Sequence, residues 1–137
     1  MAEPRAARSA GAIPANKYII GSKVVNQQDE NIGKIEDIVI DPGAGRIAYA
    51  VLSFGGFLGM GNKYFAIPWN AFQFDLADKK AILNVDKKLL ENAPGFDQDN
   101  WPNFSDSTIG SSIYSHYGYT PYWEETSGLP RSTTGRY

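Results

Sequence analysis

The stretch 46–54, RIAYAVLSF, constrains the fold more than any other part of the chain. Its odd-numbered positions carry Ile47, Tyr49 and Val51, and its even-numbered positions also carry mainly apolar residues. A strand with one face in water alternates apolar with polar side chains, whereas this strand is apolar on both faces. We therefore predict the central strand of a small closed sheet that is covered on its outer face as well.

Short apolar runs between turn signals predict five further strands, which complete a small antiparallel β-barrel. We place them within 18–25 and at 32–41, 63–69, 72–76 and 81–85. In the strand at 32–41 the apolar residues change parity, and a β-bulge near Glu36 and Asp37 would reconcile the two phases. The Asp-Pro-Gly-Ala-Gly sequence that follows is typical of a hairpin turn. The predicted core includes Val51, Phe65, Ile67 and Leu83.

The region after the predicted barrel has a different composition. Seven of the chain's 18 aromatic residues lie between positions 101 and 123. Ile109, Ile113 and Tyr117 recur at helical spacing there. Because aromatic side chains gain free energy on burial, we expect short helices that pack on the barrel. The predicted organisation is a disordered leader at 1–16, the barrel domain at 17–96, an aromatic-rich helical extension at 97–125 and a disordered tail at 126–137.

The charge and composition of the chain exclude several classes of function. The net charge is −2, and the nine basic residues between positions 17 and 96 balance nine acidic ones. A neutral body offers no electrostatic surface for nucleic acid or an anionic membrane. No stretch approaches the roughly 20 apolar residues of a membrane span. The absence of cysteine fits a reducing compartment, so we predict a soluble cytoplasmic protein, with the periplasm as a compatible alternative.

No motif in the chain defines a catalytic or metal-binding site. The glycine-rich loop at 56–63 approaches a phosphate-binding loop, but Asn62 occupies the lysine position and a strand follows instead of a helix. Glu36 and Asp37 are neighbours on a strand and point to opposite faces. His116 is the only histidine, so a zinc site would lack ligands. We predict no catalytic residue, no metal and no cofactor.

Several spaced motifs resemble those of the PRC-barrel domain family in the same order. They are G-x-x-V-x-N at Gly21, Val24 and Asn26, G-x-I-x-D at Gly33, Ile35 and Asp37, Ile-Asp-Pro at 40–42, and the strands AYAVLSFGG and FAIPW. The resemblance covers 17–85, and the C-terminal part is similar to stand-alone bacterial members. It implies a small β-barrel that serves as a docking module without a family-wide catalytic residue.

The sequence therefore predicts a non-catalytic module for protein–protein interaction or assembly. The predicted partner-binding residues are Phe57, Leu58 and Met60 at the loop tip, with Trp101, Tyr117 and Trp123 in the aromatic segment. The expected partners are proteins, among them a second copy of the chain in a symmetric homodimer. The alternative is a small-ligand carrier with its pocket between the barrel and the aromatic segment. An enzyme is the least favoured hypothesis.

Overall fold

The computed structural model describes residues 11–55 and 62–125, which form one curled β-sheet with short helices. The strands are β1 (Lys23–Val25), β2 (Asn31–Asp41), β3 (Arg46–Gly55), β4 (Asn62–Pro68), β5 (Phe72–Asp75) and β6 (Lys80–Leu83). The helices are α1 (Ala15–Tyr18), α2 (Lys87–Glu91), α3 (Ser107–Tyr117) and α4 (Tyr122–Glu125), and a 3₁₀ turn at Trp69–Ala71 follows β4. The mainly-β fold predicted from the sequence, with short helices after it, is confirmed.

The sheet has the strand order β4-β3-β2-β1-β6-β5. Four of its five neighbouring pairs are antiparallel. The fifth pair differs from the expected all-antiparallel arrangement, because β1 and β6 run parallel with Val24 opposite Ala81. The cause lies between β4 and β5, which are consecutive in the chain and form no hairpin. The 3₁₀ turn at Trp69–Ala71 carries the chain to the other end of the sheet, and the β5–β6 hairpin then brings β6 beside β1.

The ladder between β2 and β3 contains two β-bulges. Glu36 on β2 has no opposite residue on β3, which confirms the bulge predicted from the change of parity. Ala48 on β3 likewise has no opposite residue on β2. A bulge shifts the following side chains by one position relative to the partner strand. Ala48 and its neighbour Tyr49 therefore belong to the same cluster of side chains.

Both faces of β3 are buried, as predicted. Ala50, Leu52 and Phe54 belong to a core cluster to which all six strands contribute. Tyr49 and Val51 belong to a second cluster on the outer face, together with side chains of the C-terminal segment. The predicted core residues Val51, Phe65, Ile67 and Leu83 are all buried.

Candidate functional site

Helix α3 is fixed at both ends and held on the outer face of the sheet. The carboxylate of Asp106 caps its first turn by accepting a hydrogen bond of 2.9 Å from the Thr108 amide. The helix ends before Gly118, whose φ of 77° places it in the left-handed region that glycine tolerates. Between these ends, the buried Tyr114 hydroxyl donates a hydrogen bond of 2.7 Å to the carbonyl of Ala48. These contacts place α3 over β3.

An aromatic layer joins the sheet to the segment before α3. The ring of Tyr49 lies 5.4 Å from that of Phe104 and 5.3 Å from that of Tyr114, measured between centroids. Phe104 continues the layer to Phe96 at 6.1 Å and to Trp101 at 6.4 Å. Tilted and edge-on arrangements at these distances are favourable for aromatic pairs. The layer therefore packs the C-terminal segment against the barrel and reaches the surface at Trp101.

A cleft of about 420 Å³ lies between the end of β2 and helices α3 and α4. We call it the aromatic groove, and its walls include Ile40, Phe104, Gly110 and Trp123. Ile40 is 61% exposed and Trp123 is 40% exposed, although both side chains are large and apolar. Covering such side chains is worth about 1.5–3 kcal/mol each when burial is complete. The groove thus offers a binding surface made largely of hydrocarbon.

Gly110 allows the indole of Trp123 to lie directly on α3. A Cβ atom at position 110 would stand 3.0 Å from Cη2 of Trp123 and 3.1 Å from the Tyr49 hydroxyl. These distances are shorter than ordinary contacts, so a side chain at position 110 would force the indole or the helix to shift by a few tenths of an ångström. The glycine therefore sets the position of the exposed tryptophan at the groove.

One edge of the aromatic groove is polar. The Tyr122 hydroxyl donates a hydrogen bond to the carboxylate of Asp41. This bond, with a second one from the Ala44 amide, lowers the pKa of Asp41. Desolvation and the same bond to Asp41 raise the pKa of Tyr122 to about 12. The Arg46 guanidinium lies 5.9 Å from the centre of the Tyr122 ring, and these three side chains together hold α4 against the β2–β3 turn.

Trp101 lies beside β4 and does not itself line the aromatic groove, although its ring contacts Phe104, which does. Its indole N–H donates a hydrogen bond of 2.7 Å to the Gln98 carbonyl. Its ring meets Phe96 at 5.1 Å and Tyr64 at 5.9 Å. The residue is nevertheless 41% exposed. Trp101 is therefore held in one orientation while part of its ring remains open to a partner.

A second cleft, of about 330 Å³, lies between β4, α3 and the segment 94–96. We call it the β4-edge cleft. Helix α3 lines it with two adjacent rows, the apolar Ile109, Ile113 and Tyr117 and the polar Thr108, Ser112 and His116. Tyr117 is buried, and this burial raises the pKa of its phenol. Nε2 of His116 lies 2.9 Å from the Leu89 carbonyl oxygen. Because a carbonyl only accepts, Nε2 is the nitrogen that donates in this contact.

The predicted partner-binding residues line no common cleft in the described part of the chain. Phe57, Leu58 and Met60 lie outside the described residues. Trp123 lines the aromatic groove, which also contains Tyr49, whereas Trp101 contacts Tyr64. Tyr117 is a buried wall of the β4-edge cleft, separate from both.

Two residues of the aromatic groove, Ile40 and Phe104, are not among those predicted from the sequence. Ile40 lies opposite Ile47, next to the bulge at Ala48. The sequence carries no signal for its exposure, because Ile40 has the same parity as Ile38, which packs against the inner core cluster. Phe104 carries only the general signal of aromatic enrichment, because its contact with Tyr49 depends on the path of an irregular segment.

The acidic side chains of Asp97 and Glu36 form ordinary surface contacts. Asp97 accepts a hydrogen bond of 3.2 Å from the Lys63 ammonium. Glu36 lies 3.9 Å from the ammonium of Lys34. Within 11–55 and 62–125, no group of three or more histidine, cysteine or carboxylate side chains could hold a metal ion. In the same residues, no helix has the length and apolarity needed to cross a membrane.

The curled six-strand sheet with its bulged long strands defines a small mainly-β barrel domain, here carrying a helical extension. The model of the PRC-barrel domain family matches residues 17–90, which are more than half of the 137 residues. The chain belongs to the PRC-barrel domain family.

Comparison with individual proteins adds little to this assignment. No curated protein is significantly similar to the chain. Among solved structures, it is similar to RimM of Pseudomonas aeruginosa, described as a 16S ribosomal RNA processing protein, with 17% sequence identity and a TM-score of 0.37. The match covers 59% of this chain and 50% of that one, so the chain spans about half the length of that protein. A likeness this weak carries no argument about function.

Proposed function

We propose that this PRC-barrel protein is a non-catalytic, cytoplasmic module that binds another protein through apolar and aromatic surfaces. The residues that we assign to binding are Trp101, Tyr117 and Trp123, with Phe57, Leu58 and Met60 of the β3–β4 loop. Trp101 and Trp123 act as exposed contacts, whereas Tyr117 forms part of a cleft wall. We add Ile40 to this set, because it lines the same groove as Trp123.

The observation that carries the proposal is the exposure of Ile40 and Trp123 on one groove. Single exposed apolar residues are ordinary on protein surfaces, but adjacent ones around a cleft mark interaction sites. Tryptophan is also enriched among the residues that dominate binding energies at interfaces. Trp123 packs on Tyr114 at 5.7 Å and on Tyr122 at 5.1 Å. Its indole is therefore held in place before a partner binds, which lowers the entropic cost of association.

A second copy of the chain is one partner that suits this surface. The barrel region carries equal numbers of acidic and basic residues, so two copies meet without strong repulsion. Equivalent grooves can face each other across a two-fold axis, as in most homodimers. Light scattering at micromolar concentration should then give twice the monomer mass of 15.1 kDa, and Trp123→Ser should restore the monomer. A monomer mass for the unmodified protein would leave only partners of other sequence.

A small-ligand carrier is the second candidate function. The β4-edge cleft lies between the barrel and the C-terminal segment, and its volume of about 330 Å³ is at the lower end of small-molecule sites. The walls combine apolar side chains with a few polar groups, which is the usual composition of such sites. Binding of a small molecule in this cleft is compatible with binding of a protein in the aromatic groove.

Affinity capture with matched variants tests the interaction module. The unmodified protein, Ile40→Asp and Ile13→Asp are immobilised and exposed to extract of the source organism. Ile13 is the control because it is also an exposed isoleucine, at 39%, and does not line the groove. We expect the same partner to be captured by the unmodified protein and by Ile13→Asp, and to be lost with Ile40→Asp. Equal capture by all three proteins would exclude the groove as the binding surface.

A further inference from the structure

We propose that the β4-edge cleft binds a small carboxamide or lactam through the main-chain N–H and C=O of Ala66. This inference rests on the second candidate function and gives its ligand a chemical class. It starts from the hydrogen bonds on the outer edge of β4. The Tyr64 amide donates a bond of 2.9 Å to the Phe96 carbonyl, and the Tyr64 carbonyl accepts one of 2.8 Å from the Phe96 amide. Both groups of Tyr64 therefore point away from β3.

The ladder register fixes the direction of the same groups in Ala66. Main-chain groups of a strand point alternately to its two sides, so residues two apart point the same way. The β3–β4 ladder runs without a register shift from Gly55 opposite Asn62 to Tyr49 opposite Pro68. The N–H and C=O of Ala66 therefore point out of the edge of the sheet, into the cleft that Ala66 lines.

Nothing in the described chain completes these two hydrogen bonds. Continuing the register of Tyr64 and Phe96 would bring Pro94 opposite Ala66, and proline has no N–H to donate. Among the described residues, no group outside the sheet forms a hydrogen bond with Ala66. Ala66 is nevertheless only 6% exposed. Buried main-chain groups are almost always paired, so an orphaned donor and acceptor side by side favour a ligand that pairs with both.

The same edge limits the ligand to one amide group. Tyr64 is already paired with Phe96, and Pro68, the next residue that points outward, can only accept. Ala66 thus offers one donor and one acceptor. Neither Tyr64 nor Pro68 offers a second free pair with which an added strand could continue the ladder. A primary carboxamide or a lactam holds its C=O and N–H next to each other and can bond to both groups at once. The cleft volume of about 330 Å³ also fits a compact molecule.

The walls of the cleft indicate the rest of the ligand. Ile109, Ile113 and Tyr117 form an apolar wall that would cover a ring or a short hydrocarbon body. On the other side, the hydroxyls of Ser112 and Thr108 line the cleft and can accept hydrogen bonds. We therefore expect an apolar ring with its amide at Ala66, and tolerance for a hydroxyl group at the far edge.

Benzamide and N,N-dimethylbenzamide test the amide recognition. Benzamide has the adjacent C=O and N–H, whereas the dimethyl compound keeps the ring and carbonyl but has no N–H. In ¹⁵N-labelled full-length protein, benzamide should shift the Ala66 amide resonance with a dissociation constant on the order of 1 mM or tighter. The dimethyl compound should bind at least tenfold more weakly. Equal binding of the two compounds, or no binding of benzamide, would overturn the proposal.

Two serine variants locate the bound compound in the cleft. Ser112→Trp fills the cleft from its polar wall, whereas Ser115→Trp places the same side chain on the same helix outside the cleft. Both serines are exposed, so both proteins should fold. We expect benzamide binding to fall at least tenfold in Ser112→Trp and to be unchanged in Ser115→Trp. Equal loss or equal retention in the two variants would contradict the assigned site.

An N-acetylated, N-methylamidated tripeptide distinguishes a ligand from an added strand. If this peptide shifts the Ala66 resonance and benzamide does not, the edge binds extended chains and the proposal is wrong. The partner capture described above is scored at Ile40 of the aromatic groove, which Ser112 does not line, so the loss of capture with Ile40→Asp should be the same with or without Ser112→Trp. Failure of amide binding is therefore distinguishable from failure of the protein-interaction function.

Discussion

The hydroxyl of Tyr114 donates a buried hydrogen bond of 2.7 Å to the carbonyl oxygen of Ala48, a residue 66 positions earlier in the chain. Ala48 is the bulged residue of β3 and has no opposite residue on β2. A bulge leaves its extra residue outside the regular ladder, and the phenol supplies a partner for it. A single side chain therefore connects an irregularity of the barrel to the position of α3.

Tyr114→Phe should lower the free energy of unfolding by about 1–3 kcal/mol, because the Ala48 carbonyl loses a buried partner. Urea denaturation measures this change. Tyr119→Phe is the matched control, since its hydroxyl forms a longer and exposed bond of 3.3 Å with the Asn84 carbonyl. We expect the control to change stability by less than about 0.5 kcal/mol. Equal effects of the two substitutions would show that the bond to Ala48 has no special role.

Gly33→Ala should prevent normal folding or cost more than about 3 kcal/mol. A Cβ atom at position 33 would lie 1.9 Å from the main-chain oxygen of Ser53 on the neighbouring strand. Main chain cannot move aside as a side chain can, so β2 and β3 would have to separate. Gly43→Ala is the control, because its Cβ atom would lie 3.5 Å from an oxygen of Asp41, an ordinary contact. Circular dichroism melting curves compare the two, and a stable Gly33→Ala protein would contradict the β2–β3 register.

The protein should lose stability in alkaline solution as two tyrosines ionise. Desolvation by burial raises the pKa of Tyr49 to about 12, and desolvation with the bond to Asp41 raises that of Tyr122 to about 12. A raised pKa means that folding favours the protonated phenol. The contribution of these protonated phenols to the free energy of unfolding is therefore complete below the ordinary tyrosine pKa of about 10. It is lost as the pH rises toward about 12.

Ultraviolet titration of the phenolates should detect these tyrosines as a late fraction. In Tyr122→Phe the late fraction should be smaller, and the decline of stability above about pH 10 should be less steep. If all tyrosines ionise together near their ordinary pKa while circular dichroism still shows folded protein, the described environments of Tyr49 and Tyr122 are wrong.

Removal of residues 100–137 should destabilise the barrel. It removes α3, and with it the cover that Tyr114 provides over Tyr49 and the outer face of β3. The truncated protein should aggregate or lose at least about 2 kcal/mol of stability, as measured by static light scattering and urea denaturation. Removal of 126–137 alone keeps α3 and α4 and should have little effect. If the longer truncation stays monomeric and equally stable, the C-terminal segment is independent of the barrel.

The strands could be predicted because their signals are local. The bulge at Glu36 is visible in the sequence because it changes which parity of β2 is apolar. The bulge at Ala48 is not visible in the sequence, because β3 is apolar at both parities. A shift of one residue there moves no polar side chain to a buried face. The parallel pairing of β1 with β6 is equally hidden, since hairpin signals define only neighbours that follow each other in the chain.

The candidate site was predictable in composition and not in geometry. Aromatic enrichment identifies Trp101 and Trp123 as candidates. That Trp123 lines the aromatic groove and Trp101 does not depends on the irregular path that leads from β4, where Trp101 contacts Tyr64, to α4, where Trp123 packs on Tyr122. The exposure of Ile40 depends on the bulge beside it and therefore escapes a pattern of regular alternation.

Photo-crosslinking in cells of the source organism tests the central claim most directly, namely that the aromatic groove contacts another protein. A benzoylphenylalanine residue is placed at position 40 on the groove, and in a matched protein at position 13 outside it. Both positions carry exposed isoleucines, so the probe replaces an exposed apolar side chain in each. We predict a discrete crosslinked protein species, or a crosslinked dimer, from position 40 and not from position 13. The same products from both positions, or none from position 40, would contradict the proposed function.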